Sequence, residues 1–315
     1  MSQANNNSTV WCLMDGKTGH QNQVMGLAES LEQHTAVEIR HVDISRRFKR
    51  ATTLYADPES LAGSPIQPTL VIGAGHRSHA PLCVLKKRFQ AKSIVLMKPS
   101  LPLGWFDLCV VPSVHNLRLP PTNVILTKGV LNRVTPRGRA TPDTGICLIG
   151  GPSAHYDWSD RNTLRQISPI VADQSRKWTI ATSRRTPQSF LDQLAEFAAQ
   201  ARIVTPEETG PDWLPKALAA SEVAWVTEDS VSMMYEALTS GATVGVIELC
   251  RRRSNRVTEC TDSLVREGDV TRWHTWRQSG HLRRNAQALH EAKRCAAEVV
   301  NRGLLPVGTA AKAAA

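Results

Sequence analysis

Apolar positions along the chain fall into two patterns. Short consecutive apolar runs end at glycine or polar turns, and longer stretches repeat apolar residues at i, i+3, i+4 and i+7. The first pattern predicts strands at residues 9–14, 37–44, 70–75, 93–97, 106–112 and 124–130, and again at 145–151, 177–183, 201–204, 222–226 and 242–247. The second predicts a helix through Val24, Leu27, Ala28 and Leu31, one from Leu82 to Phe89, one lined by Phe190, Leu194, Phe197 and Ala198, and one through Val231, Met234, Tyr235 and Leu238. Residues 282–300 are also helical in composition. Uninterrupted apolar strands are what a sheet covered on both faces requires, and strand-helix alternation at this spacing predicts largely parallel sheets. The expected fold class is α/β, with two Rossmann-like domains facing each other across a cleft.

Candidate chemistry gathers where the strands end. After 222–226 comes the polar quartet Thr227, Glu228, Asp229 and Ser230. Asp229 or Ser230 is suited to cap the following helix, and Gly241 to stop it. Glu236 falls in that helix's second turn, off its apolar face, where a carboxylate could accept both hydroxyls of a ribose. Asp229, Ser230 and Ser232 would lie near a phosphate or its sugar. The competing expectation is a capped amphipathic helix carrying a solvated glutamate.

The first strand ends in Asp15, Gly16, Lys17, Thr18, Gly19 and His20, and Thr18 and Gln21 have capping-box spacing. Gly16, Lys17 and Thr18 do not form a nucleotide P-loop, because its first glycine would fall at Trp11. Histidine at such a turn suits proton transfer, its ordinary pKa being near 6.5. Otherwise His20 is a first-turn polar residue and Lys17 a solvated charge. A second glycine turn, Gly73 and Gly75 followed by His76, Arg77 and Ser78, lacks the full dinucleotide fingerprint. Ser113, His115 and Asn116 follow strand 106–112. In the second half, Gly150, Gly151, Pro152 and Ser153 follow a strand, and Arg184 and Arg185 sit at the mouth of another.

With 315 residues and 34.6 kDa, the chain exceeds one comfortable core. The expected division is 1–138, 139–302 and a flexible tail 303–315, with a proline- and arginine-rich linker at 133–144 and a last helix able to pack back on the first domain. A formal charge of +10 favours phosphorylated ligands, nucleic acid or anionic membrane surfaces. The arginines at 251–256 and 266–284 accompany no nucleic-acid module, so nucleic acid is set aside. The basic stretch 46–50 is a solvated face or a contact for lipid phosphate. Seven scattered cysteines without a CxxC pair argue for a reducing compartment and against a zinc site. No leader-like segment and no 18-residue apolar run are present, so a cytoplasmic protein with at most peripheral membrane contact is expected.

Five pieces, in order, carry a family resemblance: DGKTGHQNQVMGLAESL at 15–31, VIGAGHRS at 71–78, FDLCVVP at 106–112, GGPSAHYDW at 150–158 and VTEDSVSMMYEALTSG at 226–241. The chain resembles the family named after the plant mitochondrial-fission factor of elongated-mitochondria mutants, whose bacterial members are described as candidate glycosyltransferases. The resemblance runs from about residue 9 to residue 302. It implies a GT-B-like fold similar to the lipid-linked N-acetylglucosaminyltransferase of peptidoglycan synthesis. In that relative an N-terminal glycine-histidine loop approaches the acceptor, and Thr18, Gly19 and His20 resemble it. A C-terminal glycine-glycine-serine turn and a serine-rich loop with a helical glutamate hold the donor. Gly150, Gly151 and Ser153 match the first, and Asp229, Ser230, Ser232 and Glu236 resemble the second. The chain departs in carrying Asn116 after His115, where an aspartate is expected, and in having acids at 228 and 229.

The expected activity is metal-independent, inverting Leloir-type sugar transfer to an anionic glycan or lipid-linked acceptor such as a lipopolysaccharide core intermediate. Donor-binding residues would be Gly150, Gly151, Ser153, Arg184, Arg185, Asp229, Ser230, Ser232 and Glu236. His20 is the leading base and Asp15 the second, with Lys17, Thr18, Gly19, Gly75, Arg77 and His115 on the acceptor side. No metal or cofactor is expected beyond the nucleotide-sugar substrate. The rival is a non-catalytic GT-B-like adaptor that recruits a membrane-remodelling partner. An NAD-dependent sugar epimerase lacks both its GxGxxG and any tyrosine followed four residues later by lysine.

Overall fold

The computed structural model describes residues 8–45, 66–115, 117, 119–136, 143–284 and 288–305. The basic stretch 46–50, Asn116, the middle of the expected linker and all but the start of the expected tail lie outside them. The chain forms two compact units, one comprising the chain to Arg133 together with the chain from Glu291, the other Val134–His290.

In the first unit β1 (Ser8–Met14), α1 (Thr18–Glu32), β2 (Val37–Asp43), β3 (Leu70–Ala74), α2 (His79–Phe89), β4 (Lys92–Leu96), β5 (Leu108–Pro112) and β6 (Val124–Thr127) build a parallel sheet of order β2-β1-β3-β4-β5-β6. Outside the edge strand β2, whose polar residues are part-exposed, strand residues are mostly apolar on both faces because each face is covered. Val10, Cys12, Leu70, Ile72 and Ile94 pack with Val24, Leu27, Ala28 and Leu31 of α1 in one cluster, and Trp11, Val71, Val95 and Cys109 pack with Leu82 and Leu85 of α2 in another. Each such fully buried valine, leucine or isoleucine contributes roughly 1.5–3 kcal/mol.

The second unit repeats the plan with β7 (Thr144–Leu148), β8 (Tyr156–Asp157), α3 (Asp160–Val171), β9 (Lys177–Ala181), α4 (Gln188–Leu194), β10 (Ala201–Val204), α5 (Trp213–Ala220), β11 (Val223–Thr227), α6 (Val231–Ser240), β12 (Thr243–Ile247), β13 (Cys250–Arg251), α7 (Arg256–Glu267), β14 (Val270–Arg272) and α8 (Trp273–Ser279). Its sheet, β10-β9-β7-β11-β12-β14, is parallel throughout, while β8 and β13 form a short antiparallel pair. Numbered within the unit this is the 3-2-1-4-5-6 order of a doubly wound nucleotide-binding sheet.

Several expectations change. Among the described residues, the helical stretch expected at 282–300 is helical only as α9 (Glu291–Asn301), whose Cys295, Ala296 and Val299 join the α1 cluster of the first unit. The helix expected to continue through Phe197 and Ala198 stops at Leu194 and passes into a 3-10 turn over Ala195–Phe197. α1 opens at Thr18 with Lys17 in the cap position and no cap bond from the Lys17 side chain, so Thr18 is the first residue of the helix and not its cap. α7 and β14 occupy the arginine-rich stretch read only for its charge. α7 is capped by Asn255, whose side chain accepts from Val257 and Thr258.

Candidate functional site

Strand order decides where ligands meet a doubly wound sheet. The chain leaves the central strand in both directions, and the crevice at the carboxyl end of that switch point is left uncovered. In the first unit the switch lies between β1 and β3, and in the second between β7 and β11. The turns singled out by sequence stand at these two places.

At the end of β1 the Asp15 carboxylate is buried, 1% exposed. Its Oδ1 accepts the Lys17 N–H at 3.0 Å, and its Oδ2 lies 2.7 Å from Nδ1 of His20. A carboxylate only accepts, so the shared proton sits on Nδ1 and leaves Nε2 as the histidine's basic nitrogen. Gly75, after β3, lies against the His20 ring with φ +74°. A Cβ there would fall inside contact distance of the imidazole, so both backbone and space call for glycine. Arg77 reaches the Asp15 carbonyl at 3.4 Å. Lys17, Thr18 and Gly19 are exposed in and before the first turn of α1, and nothing would hinder a side chain at Gly19. His115 sits half-buried in the turn after β5, at the same edge of the sheet. In the neighbouring turn burial, followed by the charge of His76, lowers the pKa of His79, whose Nδ1 lies 3.2 Å from Ser100.

At the second switch point the Gly150 N–H donates to Thr227 Oγ1 at 2.8 Å. The Gly150 carbonyl accepts from Ser183 and Thr186, at 2.9 and 2.6 Å, which pins the turn to the end of β9. The Gly151 N–H donates to Asp229 Oδ2 at 3.2 Å. Arg185 Nη2 donates to the same oxygen at 2.6 Å and to Ser230 Oγ at 3.0 Å, while its Nη1 reaches the carbonyls of Gly151 and Pro152. Gly150, Gly151, Arg185, Asp229 and Ser230 therefore converge. Arg184 is exposed beside them. Ser153 is engaged locally, its Oγ accepting the N–H groups of His155 and Tyr156.

Ser230 occupies the cap position of α6 without a side-chain cap bond, and Gly241 ends the helix with φ +82°. Ser232 is exposed on the first turn. Glu236 is 7% exposed, so the solvated glutamate weighed from sequence is replaced by a buried carboxylate. A helix read as amphipathic is buried continuously from Met234 to Ser240.

Glu228, beside Asp229, has a different role. It is 1% exposed, with Oε1 2.6 Å from Arg251 and 3.1 Å from Arg272, and the Leu249 N–H approaches Oε2 at 3.4 Å. Both arginines also bind Asp262, and hydrogen bonding from Arg251, ahead of every other influence, lowers the Asp262 pKa. Part of the arginine run thus neutralises buried acid. Thr186 and Ser183, which shape the turn, went unnoticed in the sequence, and Thr227 was read there only as part of a polar quartet. Their only signal is position at the end of a strand. A cavity of about 370 Å³ in this unit, lined among others by Trp158, Asn162, Arg165, Glu248, Trp273 and His274, involves none of the predicted residues. Among the described residues no three histidine, cysteine, aspartate or glutamate side chains cluster as a metal set, and no helix is long and apolar enough to cross a membrane.

Two units with parallel six-stranded Rossmann-like sheets make a GT-B-like fold. The UDP-GlcNAc 2-epimerase of Methanocaldococcus jannaschii superposes with a TM-score of 0.57 at 10% identity, covering 93% of this chain and 99% of that one. The UDP-GlcNAc 2-epimerase of Neisseria meningitidis, bound to UDP-GlcNAc, gives 0.57 at 11%, with 95% and 99% covered. A glycosyltransferase of kitacinnamycin gives 0.56 at 11%, with 96% and 100% covered. At such identities the likeness is one of fold. The sequence itself matches the family described as Mitochondrial fission ELM1 over residues 18–303, and the chain belongs to that family. No curated protein matches it.

Proposed function

We propose that the protein transfers a sugar from a nucleoside-diphosphate-sugar donor to a hydroxyl of an anionic glycan or lipid-linked acceptor, by a metal-independent, inverting route. The observation that carries this is the Asp15–His20 pair. A buried carboxylate fixes the tautomer of a histidine that is itself only partly exposed, and Nε2 is left to take a proton from an acceptor hydroxyl. The attacking oxygen forms the new glycosidic bond as its proton passes to Nε2, and the nucleoside diphosphate departs with the electrons of the broken sugar-phosphate bond.

Donor binding falls to the second unit. Arg185 and Arg184 offset the departing charge, the exposed first turn of α6 presents backbone N–H groups, and Glu236 takes the ribose hydroxyls. Lys17, Arg77 and His115 supply the acceptor side with positive or polar groups. The formal charge of +10 suits an anionic acceptor and a peripheral position on a cytoplasmic membrane face. Fold neighbours that include both 2-epimerases and a glycosyltransferase are compatible with this chemistry without choosing it.

The test is a thermal-shift panel of UDP, GDP, ADP and CMP on the wild type and Glu236→Ala. A ligand at a hundredfold its Kd adds about 2.7 kcal/mol. One nucleotide should stabilise the wild type and not the variant. If none does while both proteins remain folded, the donor proposal is lost and the adaptor role takes its place.

A further inference from the structure

The turn at the second switch point already contains an anion. The Asp229 side chain is 0% exposed, and its Oδ2 accepts from the Gly151 N–H, Arg185 Nη2 and Ser230 Oγ at 3.2, 2.6 and 3.3 Å. Gly150 has no Cβ, and one would overlap this carboxylate, so the turn is shaped around it. A backbone N–H from a glycine turn, a guanidinium and a hydroxyl on one oxygen make the coordination that a phosphate oxygen takes.

Two features mark Asp229 as a provisional tenant. Its Oδ1 is buried and has no hydrogen-bond partner among the described residues, whereas a carboxylate kept for structure alone has both oxygens satisfied. Glu228, one residue earlier, meets that standard with Arg251, Arg272 and the Leu249 N–H. The surroundings also offer an anion more than Asp229 uses. Arg185 is 45% exposed, and among the described residues the N–H groups of Val231, Ser232 and Met233 at the start of α6 have no acceptor.

We propose that Asp229 is a resident internal anion, holding the phosphate position of the proposed donor site and giving up Arg185 and Gly151 when a nucleoside diphosphate binds. This rests on the donor assignment made above. While in place the carboxylate keeps the glycine turn and the guanidinium arranged for a phosphate. It also sets a threshold, since a ligand must bring more negative charge than one carboxylate to displace it. A diphosphate does so, and an uncharged nucleoside does not.

The experiment is calorimetric titration of wild type, Asp229→Asn and Asp229→Asn/Arg185→Gln with UDP, GDP, ADP and uridine. Asparagine retains an oxygen for Gly151 and Arg185 while removing the charge. The nucleoside diphosphate that binds should bind Asp229→Asn about tenfold tighter than wild type, a gain of about 1.4 kcal/mol. Uridine should show no gain, and Arg185→Gln should abolish the gain. Unchanged or weaker diphosphate binding by a folded Asp229→Asn overturns the inference and leaves the donor assignment standing, because wild-type binding is measured separately. Equal tightening for uridine overturns it as well, since that is reshaping of the pocket. Silence from every nucleotide in all three proteins removes the donor assignment and the inference with it.

Discussion

Two buried aspartates end strands at the two switch points, and they are held differently. Asp15 spends both oxygens, one on the Lys17 N–H and one on His20, and so locks a side chain that then has one job. Asp229 spends one oxygen three times over and leaves the other bare. The first arrangement suits a group that orients the proposed base. The second suits the proposed exchange of a carboxylate for a phosphate. Burial of an acid therefore does not by itself reveal its role, and the accounting of each oxygen does.

The largest expected effect separates Asp229 from its neighbour. Glu228→Ala leaves Arg251 and Arg272 around an empty place and should cost about 3–5 kcal/mol of stability. Asp229→Asn, which retains the acceptor and removes an unpaired charged oxygen, should change stability by less than about 1 kcal/mol. Urea denaturation of the two variants side by side tests the contrast, and equal losses would end it.

Next, Asp15→Asn should lower turnover of whichever donor binds by about a hundredfold or more, with nucleotide affinity retained, because asparagine has one oxygen for two donors, and when the Lys17 N–H holds it the amide NH2 faces Nδ1 and reverses the His20 tautomer. A fall in nucleotide affinity with turnover preserved would break the assignment of Asp15 to the base.

Gly75→Ala should cost about 1–3 kcal/mol, since φ is +74° and the methyl group meets the His20 ring. Gly75→Asn, which tolerates that φ better but still crowds His20, should regain less stability than backbone strain alone would allow. The two unfolding curves measure how much of the glycine's role is ring contact.

The smallest effect is in pH. His79 has a lowered pKa from burial and from His76, so below about 6.5 the unfolded state binds more protons than the folded one. The His79 contribution is complete above that pH and is lost as pH falls through the lower folded value. Asp262, depressed chiefly by Arg251, contributes in the same direction but only below about 4, the ordinary carboxylate range. Melting temperature followed from pH 8 to 5 should decline in wild type and less in His79→Gln, with Asp262→Asn behaving as wild type over that range.

What the sequence determined by itself is local grammar. Val24, Leu27, Ala28 and Leu31 announce α1, all buried, and Gly241 announces the end of α6, because helix faces and stops depend on residues within one or two turns. The apolar runs likewise name the strands of the two six-stranded sheets except β14, whose three residues lie among arginines that draw attention to charge. Asp15 and His20 were legible as candidates on one loop for the same reason, being five residues apart across one strand-helix turn, but as alternative bases, and their direct contact was seen only in the structure. Only the tertiary structure decided which distant groups meet. The order β10-β9-β7-β11-β12-β14 places the ends of β9, β7 and β11 side by side, and that alone brings Arg185, Gly151 and Asp229 within hydrogen-bonding reach. It also turned Glu236 from a surface charge into a buried one, and part of an arginine run into the partners of Glu228. Charges carry no periodic signature of their partners, because attraction acts through space, and strand order sets the distances that it acts across.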